Sequence, residues 1–436
     1  MEKLKKLKFI DWLVIILNVS YHLTMVKVYT FDLLPLQPFI TLLLFTAICY
    51  MFRFKSASLK VSRKQIFILV VFFSIYFFDV LQCMVWEPLS ALLRLITAIE
   101  IFIFLSYLYQ LWNVNESYAD NVSRITKPYV YFCLYNVAVV LIVAFLSFSG
   151  IINPESNPIG PNSLTKVDAE SGQIYYFPYY LSLTTSSFRI LGSMGLPMIT
   201  GLTHEPHVFC FLVLPSLFLI LAYREWGNIK YAIYFVYFLV FIINFSTTAL
   251  MALSVVLFTE MMWLITKKRR MSAIIPAVVV IALFVMYAGE IIDLMSDEVV
   301  RKTVDSTSSM EYSTRMLKYM ISPHFILGSG NMPHDLQHNT NADIGLITFL
   351  LDAILVLYIV YTTVKMTLSR NERVHYIGMA CMYLLIHSTK TNMLNFNYPY
   401  FALFMFVMSV FFSYTKRNTA VAGKIKTIEN QNYQNI

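Results

Sequence analysis

Apolar runs long enough to cross a bilayer recur from end to end of this 436-residue chain. Residues 129–151, YVYFCLYNVAVVLIVAFLSFSGI, form one of them. A helix rises about 1.5 Å per residue, so a run of about 20 residues spans a hydrocarbon core about 30 Å thick. Hydrocarbon offers backbone N–H and C=O groups no partner, and a lone segment satisfies its own groups only as a helix. Composition agrees: 58% of residues are hydrophobic and 13% charged, against roughly 45–50% and 25% in a soluble domain. The sequence predicts an all-α polytopic membrane protein.

Twelve spans are expected: 9–26, 31–52, 65–86, 88–111, 129–151, 206–223, 231–246, 247–266, 273–289, 343–364, 375–392 and 398–414. Two long polar connections, 152–205 and 290–342, separate them into groups, and the remaining loops are short. Residues 1–415 thus read as one transmembrane domain that includes both connections. The polar tail 416–436 reads as disordered. The basic start MEKLKKLK imitates a signal peptide, but small residues at a cleavage site are missing and eleven further spans follow, so it opens the first helix. All five cysteines (Cys49, Cys83, Cys133, Cys210, Cys381) fall within spans, which leaves no disulfide framework for the loops.

Lys and Arg set the orientation, because basic flanks resist translocation. With both termini cytoplasmic, 24 of the 33 basic residues lie inside, 7 outside and 2, Arg94 and Lys390, within spans. Both long connections then lie on the outer face. The net charge of +8 is spread over cytoplasmic loops facing anionic lipid and requires no nucleic-acid partner.

Ionisable residues inside spans are costly and mark candidate sites. Asp79 and Arg94 stand about seven residues either side of the outer turn near Trp86, so an antiparallel hairpin places them at equal depth as a structural ion pair. Asp11 and His22 share a helix face and read as interior contacts. Glu100, Glu260 and Asp352 have no partner legible in sequence. His387 and Lys390 end the eleventh span, where they could meet a ligand of the outer loops.

The second connection ends in ILGSGNMPHDLQHNTNADIG, residues 326–345, a polar run in an oily chain. Gly328 and Gly330 permit close backbone approach. His334 and His338, with Asp335, have the spacing of a metal pair, but Pro333 interrupts a helix here and no third ligand is evident. Aromatic residues in the first connection, QIYYFPYYLSL, suit either sugar stacking or an interfacial belt.

Three stretches resemble the bacterial O-antigen polymerase and O-antigen ligase superfamily. STRMLKYMISPHFILGSGNMPHDLQHNTNADIGLITFLL is similar to the segment around that family's last large outer loop, through Arg315, Pro323, Gly328, Gly330, His338, Asn339 and Gly345. RILGSMGLPMITGLTHEPHVF resembles its Arg, Gly and Glu-Pro at the head of a span, through Arg189, Gly201, Glu205 and Pro206. NFSTTALMAL resembles its Ser/Thr-rich turn between two spans. The resemblance implies a glycosyltransferase of the GT-C type in the cell inner membrane, with no cofactor. Such an enzyme transfers a growing glycan from undecaprenyl diphosphate to the non-reducing sugar of another lipid-linked repeat unit. It implies association with membrane lipid, and a flippase or chain-length regulator as possible partners. The alternatives are an O-antigen ligase and a flippase of the same units; against the flippase, neither repeated halves nor broken midplane helices are evident.

The residues suit this chemistry. Charge builds on the departing diphosphate, and guanidinium groups grip phosphate oxygens bidentately, so Arg189 and Arg315 form the expected clamp, with Lys390 beside them. The acceptor hydroxyl needs a general base near neutral pKa, for which His338 is the assignment, with Asn339, Gly328 and Gly330 contacting substrate. Glu205 orients the acceptor, orients the base, or caps the sixth span. No D-x-D, P-loop or dinucleotide fingerprint is present, and no metal is assigned.

Overall fold

The computed structural model describes residues 7–21, 37–54, 61–86, 88–114, 118–159, 175–178, 181–188, 197–203, 205–223, 226–244, 246–268, 326, 340–391 and 401–411. Helix accounts for 83% of them, the architecture that hydrocarbon selects. The helices are α1 (Phe9–Ser20), α2 (Gln37–Arg53), α3 (Arg63–Trp86), α4 (Pro88–Val114), α5 (Tyr118–Phe148), α6 (Pro206–Ala222), α7 (Ile229–Ile243), α8 (Thr247–Lys268), α9 (Thr340–Thr367), α10 (Glu372–Thr391) and α11 (Phe401–Phe411). Each overlaps an expected span, with α5 starting eleven residues before its span; the span at 273–289 lies outside the described residues.

Among the described residues, three helices are long and apolar enough to cross a membrane: Ala91–Asn113, Asn121–Phe148 and Thr248–Thr266. Seven shorter apolar helices accompany them. Large apolar side chains point away from the protein on several, with Phe145 68% and Phe235 62% exposed. A surface of this kind is solvated by lipid tails at no cost.

The first connection departs from the all-helical expectation. It holds a four-stranded antiparallel sheet, ordered β1 (Pro158–Ile159), β2 (Tyr175–Tyr176), β3 (Leu183–Phe188) and β4 (Pro197–Gly201). β3 and β4 are the longest and pair with Leu183 opposite Gly201 and Thr184 opposite Ile199. The run 183–188, LTTSSF, is rich in Thr and Ser, of which β-branched Thr suits a pleated strand, and lies outside every apolar run, so a local sheet satisfies its backbone. Phe177, from the aromatic run, is buried at 2% exposure and serves as core.

The chain divides into two compact units. One comprises 1–66, 99–256 and 359–436, the other 67–98 and 257–358. α3 ends at Trp86 and α4 begins at Pro88; the turn of the expected hairpin lies outside the described residues. The side chain of Asp79 lies outside the described residues, and with it the Asp79–Arg94 pair. Phe72 and Tyr76 pack edge to face in α3, and Ile347 of α9 donates its backbone N–H to the carbonyl of Ile326 (3.2 Å).

In the first unit α6 is the centre. It is apolar on every face and almost wholly buried, the pattern of a helix enclosed by others. Pro215 lacks the N–H that would bond the carbonyl of Phe211. Neighbouring helices supply polar contacts along this stretch: Tyr129 of α5 donates its hydroxyl to the carbonyl of Leu212, and Cys133 lies 3.6 Å from the same oxygen. From α10, Tyr383 donates to the carbonyl of Cys210 (3.2 Å). α11 joins this group through Phe401 on Phe211, Phe404 on Tyr129 of α5 and Phe406 on Tyr109 of α4.

Candidate functional site

β4 delivers the chain to α6 through a tightly specified junction. Gly201 adopts φ +62°, a left-handed conformation natural to glycine, and its missing Cβ leaves room for Phe209 and Val140. Its N–H donates to Ser182 Oγ (3.0 Å), which ties β4 to the start of β3. Thr203 donates its hydroxyl to the Thr200 carbonyl (2.9 Å), and Thr200 donates to the carbonyl of Thr203, so two side chains clasp the turn. Glu205 follows as the extended N-cap residue (φ −135°, ψ 147°), and Pro206 starts the helix, where a missing N–H costs nothing.

The side chain of Glu205 makes no capping bond. Its Oε2 lies 2.7 Å from Nδ1 of His207, with the two side chains 37% and 32% exposed respectively. Helical residues two apart do not face each other; this pair forms because the N-cap residue is extended. The second ring nitrogen, Nε2, lies on the opposite edge of the imidazole. The arrangement is that of a carboxylate fixing the orientation of a histidine at a half-exposed helix start. Structurally, Glu205 caps α6 through its carbonyl alone, which accepts from Phe209 N (3.0 Å).

His207 and Phe211 are four residues apart and share a face of α6. The ring of Phe211 stacks on His387 of α10 (centroids 5.2 Å apart, 22° between planes), and Tyr383 also stacks on it (5.5 Å, 14°). Tyr383 contacts α6 at Cys210 and Phe218, and His387 contacts it at Phe211. His387 itself is 0% exposed: the sequence places it at the end of the eleventh span, where it could meet a ligand, whereas the structure buries it beside two aromatic rings.

A third element meets this end of α6. Cys210 Sγ lies 3.4 Å from the carbonyl of Asn244, the residue that ends α7. Asn244 is 0% exposed, and neither its Oδ1 nor its Nδ2 is hydrogen-bonded among the described residues. Thr248, at the start of α8 in the Ser/Thr-rich turn, is likewise buried, and its hydroxyl has no hydrogen-bond partner among the described residues.

Of the site residues expected from sequence, Glu205 and the helical backbone of Lys390 lie among the described residues, in the same unit. Arg189, Arg315, Gly328, Gly330, His338, Asn339 and the side chain of Lys390 lie outside the described residues. Among the described residues no three His, Cys, Asp or Glu side chains group as metal ligands. Asp11 is the satisfied interior contact expected: its Oδ1 accepts from Tyr107 (2.6 Å) and Arg53 (3.3 Å), and its Oδ2 from Lys8 N (2.7 Å). Its expected companion His22 lies outside the described residues. Glu100 is fully buried in α4 with neither carboxyl oxygen hydrogen-bonded among the described residues. His207 and Asn244 are the additions that sequence reasoning did not make; the only signal for His207 was its place beside the Glu-Pro motif. Comparison with protein-family models, with curated proteins and with solved structures returns no match.

Proposed function

We propose that this chain is a polymerase of lipid-linked oligosaccharide repeat units. It transfers a growing glycan from undecaprenyl diphosphate to the non-reducing sugar of a second lipid-linked unit, at the outer face of the cell inner membrane. The donor's anomeric carbon already bears a diphosphate leaving group, so the reaction calls for positioning and charge control rather than an energy source. Arg189 and Arg315 grip the diphosphate as negative charge develops, an electrostatic contribution whose loss costs roughly 10² to 10³ in rate. His338 takes the proton from the acceptor hydroxyl. Asn339, Gly328 and Gly330 line the donor side, and Lys390 adds positive charge.

The observation that supports this reading most is the junction at the start of α6. The Glu-Pro motif of the resemblance stands between a structured first connection and a buried helix, with its carboxylate turned to an imidazole rather than spent on capping. A carboxylate needed only for the helix would face the amide groups of the first turn.

The test is deletion of the gene followed by electrophoresis of the surface glycan. A polymerase leaves chains of a single repeat. Free polymer lacking its final anchor would instead indicate a ligase, and units trapped on the cytoplasmic side a flippase.

A further inference from the structure

Three chain segments that the Lys and Arg asymmetry expects at the cytoplasmic side meet at a row of aromatic rings. Tyr131 of α5 lies against both Trp12 of α1 (ring centroids 5.3 Å apart) and Trp226, just before α7 (5.6 Å). Thr126 of α5 bonds the hydroxyl of Tyr223, the residue that ends α6, which brings the segment carrying Trp226 to this part of α5. Tyr131 is 46% exposed, and the same face of α5 continues through exposed Tyr135, Ile142 and Phe145. That face is apolar along its length. Rings with an apolar body and a polar tip settle at the level of lipid headgroups.

Basic residues border the row. Lys127 and Arg124 stand one and two turns before Tyr131 on the same face of α5. Lys230 follows Trp226 by four residues, with its Nζ 5.3 Å from the centroid of Tyr231. Arg124 supplies a separate indication: its Nη1 is buried and has no hydrogen-bond partner among the described residues. Buried donors are almost always partnered, and a guanidinium suits phosphate oxygens. Asp11, next to Trp12 in α1, does not neutralise this group, because Arg53 and Tyr107 already hold its carboxylate.

We propose that this patch binds an anionic phospholipid of the cytoplasmic leaflet. Arg124, Lys127 and Lys230 hold the phosphodiester headgroup, the row of Trp12, Tyr131 and Trp226 seats the glycerol backbone, and the acyl chains lie along the exposed face of α5. A zwitterionic lipid brings a cation of its own, which basic residues repel; an anionic lipid does not. The inference rests on the chain's being a membrane protein and is independent of the reaction it catalyses.

The experiment titrates the full chain, in neutral detergent, with phosphatidylglycerol and counts bound lipid by native mass spectrometry. Phosphatidylglycerol is expected to bind more tightly than phosphatidylcholine, and glycerol phosphate, which lacks acyl chains, not to compete. Each cation near a membrane surface contributes about five-fold, so Arg124→Gln/Lys127→Gln weakens phosphatidylglycerol binding by roughly twenty-fold. Lys127→Arg retains it. Arg370→Gln/Arg373→Gln removes the same charge where α9 turns into α10, and leaves binding as in the unmodified protein. Melting without added lipid checks that each variant is folded; should Arg124→Gln unfold the protein, Lys127→Gln/Lys230→Gln carries the same test. Equal loss in the two double variants, equal binding of phosphatidylcholine, or competition by glycerol phosphate overturns the proposal.

Discussion

At the scale of single residues, burial decides what a charge does. Asp11 is completely enclosed, and Arg53, 14% exposed, supplies the opposite charge while Tyr107 and the Lys8 amide complete its hydrogen bonds. Removing one partner of a buried pair leaves an uncompensated charge and costs about 3–5 kcal/mol, whereas replacing both by apolar groups costs far less. Arg53→Met is therefore expected to lower the melting temperature in detergent markedly, and Asp11→Leu/Arg53→Met to recover most of that loss. A double variant no more stable than the single one would contradict the pairing. His207 obeys a different rule. It was not legible because helical periodicity separates residues two apart, and the extended backbone of Glu205 that brings them together is a property of the junction, set by Gly201 and the Thr200–Thr203 clasp.

At the scale of elements, the helices follow from apolar runs because a bilayer leaves each segment one way to satisfy its backbone. Their existence was legible from composition; their neighbours were not. α6 and α10 are adjacent through Tyr383, His387 and Phe211, contacts between residues more than 170 positions apart in the chain that no local pattern announces. The small sheet was missed because β1 and β2 are two residues each and the periodicity of β3 is carried by polar residues. α9 and α10 meet at Gly378, where an added Cβ would lie 2.6 Å from Thr367 N and 2.8 Å from the Met366 carbonyl carbon. In an open helix Gly→Ala gains about 1 kcal/mol. Here the obstruction is backbone, which cannot swing aside, so overpacking of about 1–3 kcal/mol or more outweighs the gain. Gly378→Ala should lower the melting temperature; a rise would show that the two helices are not in contact at this point.

At the scale of the whole molecule, the account joins an oily helical chain to a chemistry that takes place on lipid-linked substrate. The Lys and Arg asymmetry predicts that both long connections lie on one face, where the three motifs of the resemblance, in order along the chain, would then meet. The most direct measurement is elongation by the purified protein in liposomes, with the lipid-linked repeat unit as its only substrate and EDTA present. The account predicts a ladder of products, each one repeat longer, lost by roughly 10² or more in Arg315→Ala and His338→Ala proteins that still insert and melt normally. Units that cross the bilayer without growing, or ladders that survive both substitutions or vanish on chelation, would contradict it.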